Sequence, residues 1–486
     1  MGNDLKRVGM LVVLPPLLVA SYIAACGVFG FVGSQIWLEY FAMRPGHDRH
    51  ASTSDDWGWE VNEDWSGGEK GGTDPSLGML ARIAIRSAWL FSTWAGQMGE
   101  QNVYSRSNNS SSSSNSYIQN ALLGSTDRAH TLAEQSLAWA LEYMDRQHPE
   151  RPIPNSLLLR HADILEHIAT PDALNGARRE IFTVYRELPR GGYERSKLAF
   201  KLGGLYLAEG IKGEAIRLWK EALSVQPTGQ GQTYTPAEER LIADTYLQLS
   251  AIYSTESNLD QAADLQHTAS EKITSFLHRT SPRSTDNTKS SRNSEESLHT
   301  LYLIHRAAVL SIHAAEVSYA QSRDVQSTLL QLEAAAEQAG AVTRILTAND
   351  QATSTPTQSP SPQGGASSPP TQTNITQISS EYNGSGVLKA PASSLLRDAR
   401  RAAMQALALE GLLLESGAAA GGPLLQSGSH LRALEAYRQA LEWAGTTLKA
   451  AQALGVPEQE ILHVRMRAEV LQRKMMKERM VSGLGS

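Results

Sequence analysis

Ser196 to Pro227 reads SKLAFKLGGLYLAEGIKGEAIRLWKEALSVQP, and this stretch decides the fold. Apolar residues recur at spacings of three and four, the period of an amphipathic helix, and no alternating strand pattern persists. Leu202, Gly203 and Tyr206 fall on one helix, and Ala215, Trp219 and Ala222 on the next. Pro227 is expected to end the second. Gly203, Ala215 and Ala222 are small where two paired helices must approach, whereas Tyr206 and Trp219 supply bulk for the space towards a neighbouring pair. Gly210 and Gly213 flank the turn. One such hairpin cannot bury its apolar stripe alone, so companions are required on either side.

The spacing resembles the tetratricopeptide repeat at seven of its eight signature positions, with Ala199 standing where a larger residue is usual. Downstream, Tyr246, Leu249, Ser250, Tyr253, Ala262 and Ala269 fit the same frame, with Gln266 in place of an aromatic. Upstream, Leu158, Ala162 and Leu165 are followed by Ala177, Ile181, Val184 and Pro189. A further unit pairs Ala402 to Glu415 with Ala433, Tyr437 and Ala440 across a Gly/Ala-rich insertion at 417–428. Helices are also expected near Leu77 to Met98, Ile118 to Asp145, Leu298 to Gln321 and Val325 to Gln338. Val456 to Met480 reads as a capping helix with a polar outer face. The fold class is therefore all-α, a tetratricopeptide-like hairpin solenoid.

Ahead of the solenoid lies an uncharged apolar run, Val8 to Leu38, opened by Lys6 and Arg7 and followed by Trp37, Tyr40 and Phe41. A hydrocarbon core of about 30 Å needs roughly 20 apolar residues, so a single membrane anchor is expected over residues 8–38 after a tail of residues 1–7. The acids from Asp48 to Asp74 mark residues 39–76 as an acidic linker, and the short basic N-terminus places that end inside. The run Ile23, Ala24, Ala25, Cys26 also suits a bacterial lipoprotein signal, although the sequence stays apolar to Val32. Gly2 lacks the Ser or Thr that myristoylation wants, because Lys6 stands there.

Composition divides the remainder. Residues 77–279 hold the first part of the repeats, 280–294 an insertion, 295–347 the middle part, 348–386 an insertion rich in Pro, Ser, Thr and Gln, and 387–486 the last repeats and the cap. Both insertions are expected to be disordered, because such tracts bury too little surface to offset ordering entropy. Asn108 to Ser116 is another polar tract. Asn108, Asn109, Asn374 and Asn383 form sequons that matter only in a secretory compartment.

Formal net charge is −6 over 486 residues, and one cysteine precludes an internal disulfide. That balance argues against nucleic acid as a partner, and the basic cluster from Arg465 to Arg479 reads as a solvated helix face. P-loop, His-Glu-x-x-His and Gly-x-Ser-x-Gly frames are lacking, so a non-enzymatic protein without cofactor or metal is expected. Asp163 and His167, one helical turn apart beside Glu166, lack a third ligand. His47 and His50 fall in the linker. The groove of a solenoid is lined by the first helix of each pair, which here offers Leu159, Asp163, Lys197, Phe200, Lys201, Leu207, Asp244 and Leu247 to an extended peptide.

A short tail, one span, then degenerate repeats interrupted by Ser/Pro-rich insertions: the chain resembles the fungal tetratricopeptide adaptor subunit of the mitochondrial inner-membrane i-AAA protease. The resemblance implies an inner-membrane protein with its N-terminus in the matrix and its repeats in the intermembrane space. It also implies AAA protease subunits and unfolded clients as partners, with lipid contacted through residues 8–38. A long Arg/Ser-rich transit peptide is missing. Two alternatives stay open: an outer-membrane import receptor that grips chaperone C-termini, and a bacterial envelope lipoprotein scaffold. A carboxylate clamp could draw on Lys197 and Lys201, but Arg160 stands where the preceding repeat should offer Asn.

Overall fold

The computed structural model describes residues 33–43, 57–59, 65–66, 72–105, 125–147, 149–227, 233–280, 290–322, 324–347, 378–385, 387–419, 429–445 and 458–483. Every long element among them is an α-helix. The chain divides into two compact units, unit 1 being Met1–Ser54 with Asn62–Leu188 and unit 2 being Asp55–Val61 with Pro189–Ser486.

Unit 1 holds α1 (Met79–Ser105), α2 (Ser125–Gln147), α3 (Asn155–Ile168) and α4 (Pro171–Glu187), packed as successive antiparallel pairs. Thr170 caps α4 with its side-chain oxygen and Pro171 opens the helix at a position where a missing N–H costs nothing. Ile85, Leu137, Leu157 and Ile164 share the core with Trp65 and Met43. Glu39 is the polar keystone of this unit. Arg82 reaches it at 2.8 Å and Arg86 at 2.6 Å, and the Thr73 hydroxyl donates to it at 2.7 Å.

These contacts correct two expectations from the sequence. The acidic linker at 39–76 contributes buried Met43, Trp65 and Thr73, because its aromatic and apolar residues find a core that composition alone hides. At the end of the expected anchor, residues 33–42 are helical and Leu38 and Gln35 are buried in protein, whereas Trp37 and Tyr40 are exposed. The anchor's residues 8–32 lie outside the described residues. Among the described residues no helix is long and apolar enough to cross a membrane.

Unit 2 runs through α5 (Tyr193–Ala208), α6 (Lys212–Ala222), α7 (Pro236–Thr255), α8 (Leu259–Thr280), α9 (Ser290–Ser322), α10 (Val325–Thr347), α11 (Lys389–Ala419), α12 (Ser429–Ala444) and α13 (Glu458–Gly483). Each helix packs on the next, and α5 meets α7, α7 meets α9 and α9 meets α11, which is the neighbour pattern of a stacked hairpin solenoid. The quoted stretch is the hairpin α5–α6. Gly203 abuts the Trp219 ring, whose Nε1 donates to the Phe200 carbonyl at 3.0 Å. Trp219 therefore locks its own hairpin as well as packing towards Leu249 and Tyr253 in the next. Gly210 turns the chain at φ 82°, with the Ile211 amide bonded back to Tyr206 at 2.8 Å. One repeat on, Ser257 takes the same left-handed conformation at φ 59°, with Asn258 bonded back to Tyr253 at 3.0 Å. The α11–α12 pair repeats the close approach, Gly411 lying against the Tyr437 ring.

Three boundaries differ from the reading of the sequence. Helix α6 ends at Ala222, five residues before Pro227, and the tail beyond it buries Val225. The insertions expected at 280–294 and 348–386 fall mostly outside the described residues, but their C-terminal ends are packed. Ser294 donates to Glu381 at 2.6 Å, and Tyr382 is buried against Leu298 and Leu346 with Ile378 packed on the same cluster, apolar area that the polar composition of the segment hides. The outer face of α13 is not wholly polar: Ile461, Val464 and Leu471 face the core, while Met466 and Val470 are exposed.

Candidate functional site

The most elaborated polar site in unit 2 is built where α7 crosses α9. Helix α7 starts with a capping box, Thr235 receiving the Glu238 amide and Glu238 receiving the Thr235 amide at 2.8 Å. That rigid start fixes Glu239, Arg240 and Asp244 towards α9. Opposite them stand His299, Tyr302 and Arg306, three to four residues apart on one helical face.

Charge is handed along this face in a definite order. Arg279 pairs with Glu239, whose other oxygen lies 3.0 Å from His299 Nε2. Arg240 Nη1 approaches His299 Nδ1 at 3.3 Å, and because a guanidinium can only donate, the imidazole is neutral with its proton on Nε2. Burial, reinforced by the Arg240 charge, holds the His299 pKa below its ordinary value against the pull of Glu239. Further along, Asp244 lies 2.7 Å from Arg306 and accepts the Tyr302 hydroxyl at 2.7 Å. Burial raises the Asp244 carboxyl, opposed by Arg306, Tyr302 and Arg240.

A short stretch of the chain itself, Trp57–Trp59, lies on this face with Gly58 in the left-handed conformation at φ 61°. Arg240 Nη2 donates to the carbonyls of Trp57 at 2.6 Å and Gly58 at 2.9 Å. The Trp59 ring lies 3.9 Å from the Arg240 guanidinium, close enough for a cation–π contact. Its indole Nε1 donates to the Glu295 carbonyl at 3.3 Å, and its ring meets Tyr302 edge-on at 6.3 Å. Trp57 tilts over the His299 ring at 5.8 Å. The face thus contacts both the main chain and the side chains of this three-residue stretch.

The groove residues expected from the sequence are distributed otherwise. Leu159 and Asp163 belong to unit 1, the latter 3.9 Å from Arg160. Lys197 is exposed on α5, and Lys201 is half-buried. Phe200 and Leu207 pack on the α6–α8 core. Leu247 is a core residue beside Ile273 and Phe276, so it lines no groove; its position on α7 turns it to the hairpin interior. Asp244 alone takes part in the site, and there it is an internal partner of Arg306. Glu239, Arg240, His299, Tyr302, Arg306 and the two tryptophans were not singled out by sequence reasoning. A Trp-Gly-Trp triplet in a chain with 6% aromatics was the available signal.

Other candidate features are quieter. His167 Nδ1 lies 2.7 Å from the Asp163 carbonyl and its ring stacks on His130, and among the described residues no three metal-ligating side chains converge. An open cavity of about 460 Å³ lies among α10, α11 and α12, bordered by Glu333, Glu337, Glu410, Glu435, Arg344, Arg432 and Trp443. Burial and the neighbouring Glu333 raise the Glu410 carboxyl there.

Among known proteins, no family model and no curated protein matches the chain. Solved structures similar to it include a human IFIT1 dimer with PPP-AAAA, 12% identical over 81% of this chain and 84% of that one, at a TM-score of 0.22. The human IFIT1 dimer with m7Gppp-AAAA is likewise 12% identical, over 80% of this chain and 81% of that one, at a TM-score of 0.18. Superpositions this loose carry no argument, and the hairpin reading rests on the helix pairing described above.

Proposed function

We propose that this chain is a tetratricopeptide-like adaptor that binds extended segments of other proteins. It is held at the mitochondrial inner membrane by the apolar run within residues 8–38, with its repeats in the intermembrane space, and it delivers unfolded clients to an AAA protease. Its role is binding rather than catalysis. The observation that carries the binding reading is Arg240, which grips two consecutive main-chain carbonyls of a short non-helical segment laid across α7 and α9. Carbonyls are common to every sequence, so a grip of this kind suits a protein that must take many clients. The uncharged run after Lys6 and Arg7 supports the anchor, and the resemblance to the i-AAA adaptor supports the destination.

Protease protection in intact and outer-membrane-ruptured mitochondria tests the placement: the repeats should resist digestion until rupture, and cleavage in intact organelles would remove the inner-membrane assignment. Crosslinked affinity capture should recover an AAA protease. Recovery of a cytosolic chaperone in its place would favour the import receptor.

A further inference from the structure

The segment lying across α7 and α9 makes demands on its own sequence. Gly58 has φ 61°, and a Cβ there would sit 2.7 Å from the Ala237 Cβ on the α7 surface, so no other residue fits. On either side the site asks for an aromatic ring: one to lie on the Arg240 guanidinium against Tyr302, the other to cover the His299 imidazole. Asp55, Asp56 and Glu60 give the triplet acidic flanks. Trp59 and Glu295 are 236 residues apart in the chain, so this is a docked segment rather than a local turn.

We propose that the α7–α9 face is a receptor for an acidic aromatic–glycine–aromatic segment of a partner protein, and that Trp57–Trp59 is its built-in occupant, displaced when the partner binds. This rests on the protein-binding reading and narrows it to one ligand chemistry. An occupant tethered in the same chain is present at an effective concentration on the order of millimolar, so it competes against any partner. Arg240 is a binding residue here; His299 and Glu239 position it. The occupant makes the site silent until a better-matched or more abundant segment arrives.

The test is fluorescence anisotropy with a labelled peptide of residues 54–62, SDDWGWEVN, added to the detergent-solubilised full chain. Two variants vacate the site by different routes, Gly58→Val through the clash with Ala237 and Trp59→Ala through the lost stacking, so one informs if the other misfolds. The peptide is expected to bind both at least about tenfold more tightly than it binds the unaltered chain. Adding Arg240→Gln to the Gly58→Val chain should abolish binding, and a peptide with Val in place of its glycine should not bind. Equal affinity for the unaltered chain and both variants, or equal binding of the two peptides, would overturn the proposal. Client crosslinking by the Gly58→Val chain separates the two readings. Capture of clients without peptide binding removes this inference and leaves the adaptor standing; peptide binding without client capture does the opposite.

Discussion

A Cβ built on Gly203 would lie 2.3 Å from Trp219 Nε1, and that indole cannot retreat because it is bonded to the Phe200 carbonyl at 3.0 Å. Gly204, next in the chain, is exposed, and among the described residues nothing lies within 4 Å of its own Cβ position. The same substitution at these adjacent sites therefore has opposite signs. Gly203→Ala should destabilise unit 2 by about 1–3 kcal/mol through overpacking. Gly204→Ala should stabilise it by about 0.5–1 kcal/mol through helix propensity. Denaturant midpoints of the two variants check this, and a shift of the same sign in both would refute the close crossing.

Gln266 stands 47 residues after Trp219 in the repeat frame and is buried, its Nε2 finding no hydrogen-bond partner among the described residues. An orphaned amide in a core costs about 1–3 kcal/mol. Gln266→Leu, of similar length and with no polar group to satisfy, should raise the melting temperature of unit 2. A fall would mean that the amide has a role that Leu cannot fill.

His299, His305 and His313 on α9 all have pKa values lowered first by burial, His305 to about 3. The folded state therefore favours the neutral imidazole, and the unfolded chain binds protons first. Stability is intact above the ordinary histidine pKa of about 6.5 and is lost as pH falls below it, by about 2 kcal/mol at pH 5 from His305 alone. The loss continues until His305 protonates in the folded state. Burial raises the carboxyls of Glu316 and Glu410, which oppose this trend. Unfolding free energies between pH 7.5 and 5 should fall, and His305→Leu should flatten the curve; a flat profile in the unaltered chain would contradict the burial of these rings.

Burial alone would raise the Glu39 carboxyl, but Thr73, Arg82 and Arg86 together hold it below the usual carboxylate range. Its stabilising effect is present above about pH 4.5 and is lost as pH falls through the depressed value. Glu39→Gln should lower the stability of unit 1 by about 1–3 kcal/mol, since it leaves two arginines facing a neutral amide. Hydrogen exchange should then quicken in the first turns of α1, and unchanged exchange there would show that Arg82 and Arg86 need no anion.

The hairpins were legible because their signature is local: Gly203, Ala215, Trp219 and Ala222 sit at spacings that a helical period turns directly into contacts. The relation between Gly411 and Tyr437 was readable for the same reason, despite the insertion between them. Leu247 was misplaced by the same frame, since a helix with neighbours on two sides buries residues that a single-groove picture would expose. Of the α7–α9 site only the Trp-Gly-Trp triplet was legible, and not the face that receives it. Arg240 and Trp57 are brought together across 183 residues, and nothing in the acidic composition around Trp57 signals a partner on α7. Long-range docking of a three-residue segment leaves no period to detect.

The clamp on Glu39 bears on how the chain would carry load. Arg82 and Arg86, one turn apart on α1, grasp the same carboxylate from two directions. A pull on the chain ahead of Gly33 would therefore meet two charge-assisted bonds acting in parallel and enter the first helix of unit 1, rather than peeling the segment off one residue at a time.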